Sequence, residues 1–248
     1  MIAAIMQPTY LPWIGYFDLI DRADTFVFLD DAQVLKRSWG VRNRVLSQNG
    51  EMYLTVPLTG HSQSETCTFV STAVDANLKW RKTHLSTIRH AYSKAPHFAE
   101  VFADIEGWMG AGHQTIGDLN RAFITQTAQR MGITTPITQS SKLEGVSGRK
   151  DDWLLSICRA IDADTYLSAQ GSAAYIEQEQ EAGAFAGSGV ALRYQNFAHP
   201  EYKQSGDEFV GFMSVVDLLM NCGYQSALEI IRSGRQPMLT SAQLKELA

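Results

Sequence analysis

Apolar positions recur along the chain with two different spacings, and the switches between them mark out the elements. Ile2 to Met6 is a short apolar run that stops at Gln7-Pro8, the pattern of a buried strand. From Trp13 to Ala23, Trp13, Phe17, Ile20 and either Tyr16 or Leu19 return at helical spacing behind Pro12, a residue suited to a first helical position. Thr25 to Leu29, TFVFL, then runs into Asp30-Asp31 as a second buried strand. Strand, helix and strand in such close succession predict a βαβ unit and a parallel sheet.

Met52 to Pro57 and Cys67 to Val74 have the composition of shorter strands, separated by a polar loop from Gly60 to Glu65. The middle of the chain is helical over Lys79 to Ser93, Phe98 to Trp108 and Ile116 to Met131, the last closing at Gly132 as helices commonly do. ITTPITQSSKLEGVSGRK, rich in Thr, Ser and Gly, reads as a loop. A second α/β stretch follows: a helix over Asp151 to Ile161, a strand over Thr165 to Ser168, a helix from Ala173 to about Ala182, and a strand over Val190 to Tyr194. Ser214-x-x-Asp217 is a capping-box pattern opening a helix that runs at least to Asn221. The predicted fold is α/β, a parallel Rossmann-like sheet with a helical insertion or subdomain. It forms one domain over residues 1–248, with an internal boundary expected near 139–148.

Composition narrows the classes. With 45% hydrophobic and 19% charged residues and no apolar run near the ~18–20 residues that span a bilayer, no membrane span is expected. The N-terminus lacks the basic start and cleavage site of a secretory signal, which places the protein in the cytoplasm. Cys67, Cys158 and Cys222 have no paired or ligand spacing. A net charge of -5 argues against a broad nucleic-acid surface. Lys36, Arg37, Arg42 and Arg44 nevertheless concentrate four of the 21 Lys and Arg in one short stretch.

In parallel sheets ligands bind beyond the C-terminal strand ends, where QPTYLPW and DDAQ both fall. Gln7 offers an amide, Tyr10 a hydroxyl and Trp13 a stacking face, on a turn stiffened by Pro8 and Pro12. The plainer alternative is a tight turn with core-filling aromatics. Asp30 or Asp31 suits a general base or an orienting carboxylate, or merely a loop cap, and Gln33 adds a donor and acceptor. Magnesium, held by one or two carboxylates together with substrate phosphates, is the one cofactor these aspartates leave open. In KRSWGVRNR, Lys36, Arg42 and Arg44 suit an anion, Trp39 a sugar or base, and Asn43 a polar group; a solvated loop is the alternative. His84 and His199 are base candidates. Asp217 and Asn221 lie four apart on one helix face, with Asp217 first accounted for by its cap. P-loop, GxGxxG, GxSxG and HExxH signatures are absent.

In order and spacing, QPTYLPWIGYFDLI, FVFLDDAQ, SWGVRNRV, LTVPL, a helical W-x-x-x-H-L followed by Ala91-Tyr92 and Ala95-Pro96, YLSAQGSAAYI, HPEYKQ and SVVDLLMNCG resemble the WbqC-like family over about Ile2 to Gly223. The resemblance implies a cytoplasmic bacterial protein of O-antigen or other surface-polysaccharide biosynthesis, with an amino-acid (glycine) transferase role suggested. Its partners would then be a sugar-nucleotide or glycan precursor and a phosphate-bearing donor. It adds Pro8, Gly15, Tyr16, Tyr92, Ser168, Gly171, Tyr175, Tyr202 and Gln204 to the positions of interest, Ser168, Tyr175, His199, Tyr202 and Gln204 as substrate-binding residues. Members commonly show Lys-His-Leu where this chain has Thr83-His84-Leu85, with its lysine at Lys82. A second resemblance, of P-x-x-x-P-x-x-G after the first strand, is to nucleotidyltransferases of the HIGH class, but Tyr10, Trp13 and Tyr16 stand where histidines belong. The expected activity is transfer of a group to a sugar precursor, with Asp30, Asp31 and His84 as catalytic candidates. Nucleotidyl transfer and a non-catalytic sugar-nucleotide-binding role are the alternatives.

Overall fold

The computed structural model describes residues 1–60, 66–206 and 208–247. In chain order the elements are β1 (Ile2–Met6), α1 (Ile14–Arg22), β2 (Thr25–Phe28), β3 (Arg42–Ser47), β4 (Gly50–Thr55), α2 (Lys79–Tyr92), α3 (Phe98–Gly110), α4 (Ile116–Arg130), β5 (Ile137–Gln139), α5 (Lys150–Ala160), β6 (Thr165–Ser168), α6 (Ala173–Ile176), β7 (Ala191–Tyr194), α7 (Val215–Ser233) and α8 (Ser241–Glu246). Five strands form one all-parallel sheet in the order β5-β2-β1-β6-β7, and β3 and β4 make a separate antiparallel hairpin. The expected α/β architecture is therefore present, with β1 at the centre and the chain winding outward in both directions from it.

The period-2 alternation of side chains along each strand divides the sheet residues between two cores. Ala4, Phe26, Phe28 and Leu167 join the residues of α1, α2, α3, α4 and α7 on one face. Ala3, Ile5, Val27 and Tyr166 join α5 and the Ile176, Phe185 and Leu192 side chains on the other. Burial on both faces explains why β1 and β2 read as continuous apolar runs rather than alternating ones.

Several expectations are corrected. Pro12 precedes the helix rather than opening it: Trp13 is the extended N-cap residue, and the Pro12 carbonyl accepts from Val215 N–H at 2.8 Å. Residues 42–47, part of the expected binding loop, form a strand in which Asn43 and Val45 face inward between outward arginines. Cys67 to Val74 is not a strand; it makes only isolated bridges, Gln33 to Thr68, Leu58 to Val74 and Ala73 to Thr115. Of the polar loop expected from Gly60 to Glu65, residues 61–65 lie outside the described residues. The loop ITTPITQSSKLEGVSGRK contains the edge strand β5, which pairs with β2.

The helix expected to reach Ala182 stops at Ile176, where the Glu177 carboxylate accepts from Ala182 N–H and turns the chain. The capping box at Ser214 is half made: Ser214 Oγ accepts from Val216 N–H, but the Asp217 side chain points elsewhere. Among the described residues no helix is long and apolar enough to cross a membrane.

Candidate functional site

The C-terminal edge of the sheet is where the first candidates converge. The QPTYLPW turn leaves β1 with Leu11 at a left-handed φ of 43°, and nearly every carbonyl in it has a dedicated donor. Tyr16 OH donates to Gln7 O (3.0 Å), and Asn120 Nδ2 to both Pro8 O and Gly40 O (2.8 Å each). Asn43 Nδ2 donates to Tyr10 O (3.1 Å) and Leu11 O (2.8 Å). Asn43, expected to contact substrate, is thus a buried clamp on this turn. Satisfying a strained, buried backbone in this way ties β1, β3, α4 and α7 to one point.

Tyr10 is fully buried and its hydroxyl is hydrogen-bonded to His84 Nδ1 at 2.8 Å. Burial lowers the His84 pKa to about 4 against a hydrogen bond to the Thr55 backbone, so the imidazole is neutral near pH 7 with both of its edges occupied.

Asp30 lies two residues beyond β2 with no solvent exposure. Its Oδ2 accepts from Arg121 Nη1 (2.7 Å) and Gln139 Nε2 (3.0 Å), and its Oδ1 from Ser141 N–H (3.1 Å) and the Ser140 hydroxyl (3.4 Å). Ser140 also hydrogen-bonds Asp31, and Arg121 reaches on to Asp118 at 2.6 Å. The paired aspartates therefore lock β2 to β5 and α4. Among the described residues no group of three or more His, Cys, Asp or Glu is arranged to hold a metal ion.

The remaining predicted residues separate into three places. Gln7 is exposed, and Ser168 is buried at the end of β6 with Tyr175 exposed nearby in the chain. Lys36 and Trp39 are exposed, Gln33 is bridged to Thr68, and Arg42 and Arg44 line the outer face of the β3–β4 hairpin. The third group closes on a cavity.

That cavity, of about 860 Å³, lies between the hairpin, the C-terminal end of α2, residues 203–206 with Glu208 and Val210, and the start of α7. In its wall is Asp217, 1% exposed. Oδ2 accepts from Gln204 Nε2 at 2.7 Å and from Tyr202 OH at 2.9 Å, whereas Oδ1 has no hydrogen-bond partner. The Tyr92 hydroxyl accepts from Leu46 N–H (2.9 Å) and faces the carboxylate. One helical turn on, Asn221 donates to Asp217 O and accepts from Ser205 Oγ. Desolvation raises the Asp217 pKa, and the hydrogen bonds from Gln204 and Tyr202, together with the facing Tyr92 hydroxyl, pull it part of the way back. Burial pushes Tyr92 and Tyr202 far up, so both remain protonated donors.

His199 stands behind this group. Its Nδ1 lies 2.9 Å from Pro200 O and its Nε2 accepts from Phe212 N–H at 3.1 Å, which fixes the neutral Nδ1–H tautomer; burial lowers its pKa. The ring stacks between Trp13 (6.1 Å, 20°) and Tyr202 (6.3 Å, 29°). Trp13 and HPEYKQ, far apart in sequence, are thereby joined, and the turn after β1 braces the cavity from behind. Arg121, Gln139 and Ser140 were not candidates from sequence, and nothing in their local pattern marks them: the first is 91 residues from its partner.

The site's residues lie within a stretch that matches a known family model, WbqC-like protein family, over residues 7–229. The chain belongs to that family. Gln7, Tyr92, Tyr202, Gln204, Asp217 and Asn221 are all inside the matched span. The chain is also similar to a protein of Mycobacterium tuberculosis (strain ATCC 25618 / H37Rv), "Uncharacterized protein Rv1507c", at 31% identity over 237 residues, covering 94% of this chain and 98% of the relative. No solved structure matches the chain.

Proposed function

We propose that this WbqC-like chain is a group-transfer enzyme acting on a precursor of bacterial surface polysaccharide in the cytoplasm, and that Asp217 is its proton acceptor. The observation that carries the proposal is the unpartnered, buried Oδ1 of Asp217 in the wall of the cavity of about 860 Å³. A buried carboxylate in a cavity wall, with one oxygen fixed by Tyr202 and Gln204 and the other without a hydrogen-bond partner, suits the receipt of a hydroxyl or amine proton from a ligand. As the acceptor's O or N bonds to the donor's electrophilic carbon, its proton passes to Oδ1 and the bond to the leaving group breaks. A raised pKa makes Asp217 a stronger base than an exposed aspartate. The polysaccharide context, and an aminoacyl group such as glycine as the transferred group, are what the resemblance to the WbqC-like family implies. Asp30, with four donors on its two oxygens, and His84, with both ring edges bonded, are positioning residues in this scheme.

A thermal-shift screen against sugar-nucleotides, nucleoside triphosphates and acyl donors, with and without magnesium, finds the ligand class. With a turned-over pair in hand, Asp217→Asn is expected to lower product formation by roughly 10²–10⁴-fold, the usual worth of a general base, while ligand binding persists. Undiminished turnover in Asp217→Asn removes the proposal. Ligand binding without turnover in the unmodified protein, or pyrophosphate release from a nucleoside triphosphate, would replace it with a binding protein or a nucleotidyltransferase.

A further inference from the structure

The outer face of the β3–β4 hairpin has features that the Asp217 site does not use. The register pairs Arg44 with Tyr53 and Arg42 with Thr55, so Arg42, Arg44, Tyr53 and Thr55 project from the side opposite the buried Asn43, Val45 and Leu54. Trp39, in the turn entering β3, stacks on Tyr53 with ring centroids 6.5 Å apart and planes 25° from parallel. The Arg42 guanidinium lies over the Tyr53 ring at 4.8 Å. The two rings are 51% and 50% exposed, in a chain whose Tyr10, Tyr16, Tyr92, Tyr166 and Tyr194 are all fully buried.

Charge follows the same line. Lys36 and Arg37 are exposed in the segment leading to Trp39, and Arg37 is held at a left-handed φ of 60°. Arg42 Nε is buried with no hydrogen-bond partner, an unmet donor on a cation already seated on an aromatic face. Arg44, by contrast, is occupied by Glu51 (2.7 Å) and the Phe212 carbonyl (3.2 Å). Half-exposed stacked rings bordered by cations, on a chain of net charge -5, are complementary to a flat aromatic group carrying negative charge. A neutral sugar would use the rings and leave the cations idle; an acidic peptide would use the cations and leave the rings idle. Aromatic stacking with arginine contacts to phosphate is how proteins hold nucleobases without base-pair readout.

We propose that this face binds a nucleobase bearing phosphate, with the base on the Trp39–Tyr53 pair and the phosphates met by Arg42 and the Lys36-Arg37 segment. The same chemistry, a base with phosphate, is offered by a free nucleoside diphosphate and by the unpaired end of an RNA strand.

Isothermal titration of the full chain distinguishes the parts. The probes are uridine 5′-diphosphate, adenosine 5′-diphosphate, ribose 5-phosphate as the base-free control, and an unpaired hexaribonucleotide. Both diphosphates are expected to bind with similar Kd, because stacking tolerates any base, and ribose 5-phosphate at least about tenfold more weakly. Trp39→Ala and Tyr53→Ala should each weaken diphosphate binding about tenfold with unchanged melting temperature, since both rings are half in water. Asp217→Asn should leave this affinity unaltered, which separates the face from the proton-accepting role proposed above. A hexaribonucleotide bound about tenfold tighter than uridine 5′-diphosphate assigns RNA as the natural source, and equal or weaker binding assigns the free nucleotide. The proposal is overturned if no nucleotide binds, if ribose 5-phosphate binds as tightly as the diphosphates, or if both ring variants bind normally.

Discussion

His84 lies under α2's own turns and the β3–β4 hairpin, with Trp80 edge-on at 5.2 Å and the Tyr10 hydroxyl on Nδ1. Charging it means placing a cation in a buried site where, among the described residues, no carboxylate acts on its pKa. Burial lowers its pKa to about 4 from the 6.5 of an unfolded chain. The unfolded chain therefore binds the extra proton first, and the stability that neutral His84 contributes is complete above about pH 6.5 and is lost as pH falls toward 4. The full span is worth about 3 kcal/mol. Denaturant midpoints of the unmodified protein should drop over that interval. His84→Gln, less stable at pH 7, should lose less between pH 7 and 4.5; an equal loss in both would assign the acid sensitivity to other groups. Asp217 acts with the opposite sign, because its raised pKa makes burial most costly once it is ionised. Asp217→Asn is accordingly expected to raise the melting temperature at pH 7 while it lowers turnover. At this scale the sequence pointed to polar and aromatic residues but not to their partners in the fold. Asp217 read first as a helix cap and Asn43 as a substrate contact, because a side chain's nearest neighbour in sequence is rarely its partner in the fold.

The elements divide by how each announces itself. β1, β2, β6 and α2 to α5 were legible to within a residue or two, since long apolar periods survive any tertiary context. β5 was not: three residues on a sheet edge, preceded by Pro136 and followed by serines, look like the loop around them. β3 hid because its outward arginines matched a binding loop. The least legible element is α7, which is two helices joined at Gly223, where φ is 73° and ψ 168°. That kink lets the first half aim Asp217 and Asn221 at the cavity while the second half carries Arg232 to Asp21 (2.8 Å). A Cβ at Gly223 would lie 2.6 Å from His97 Nδ1, on the residue whose N–H donates to Met220 O. Gly223→Ala combines that clash with a backbone conformation closed to side chains, at a cost of roughly 2 kcal/mol or more. Urea unfolding should show it as a lower midpoint with an unchanged slope; stability within about 0.5 kcal/mol of the unmodified chain would mean that α7 straightens freely.

For the whole molecule, local pattern foretold a parallel sheet but not its order, because β1 pairs with β6 from more than 150 residues away. What fixes the outer part of that order is polar as well as apolar. Asp30, two residues beyond β2, meets Gln139 from β5, Ser140 and Ser141 just beyond it, and Arg121 from α4, all at one sealed point. Arg121 is the only cation on this carboxylate among the described ion pairs, and its other arm is taken by Asp118. Arg121→Ala strands a buried negative charge, a loss of about 3–5 kcal/mol, and so should loosen β5 and α4 together. Asp30→Asn removes the charge and keeps the shape, so the double variant Asp30→Asn/Arg121→Ala should recover part of what Arg121→Ala alone loses. Chemical denaturation of the three variants measures the difference. A double variant no more stable than Arg121→Ala would show that the guanidinium acts through packing, and that the strand order at this edge does not depend on balancing the charge of Asp30.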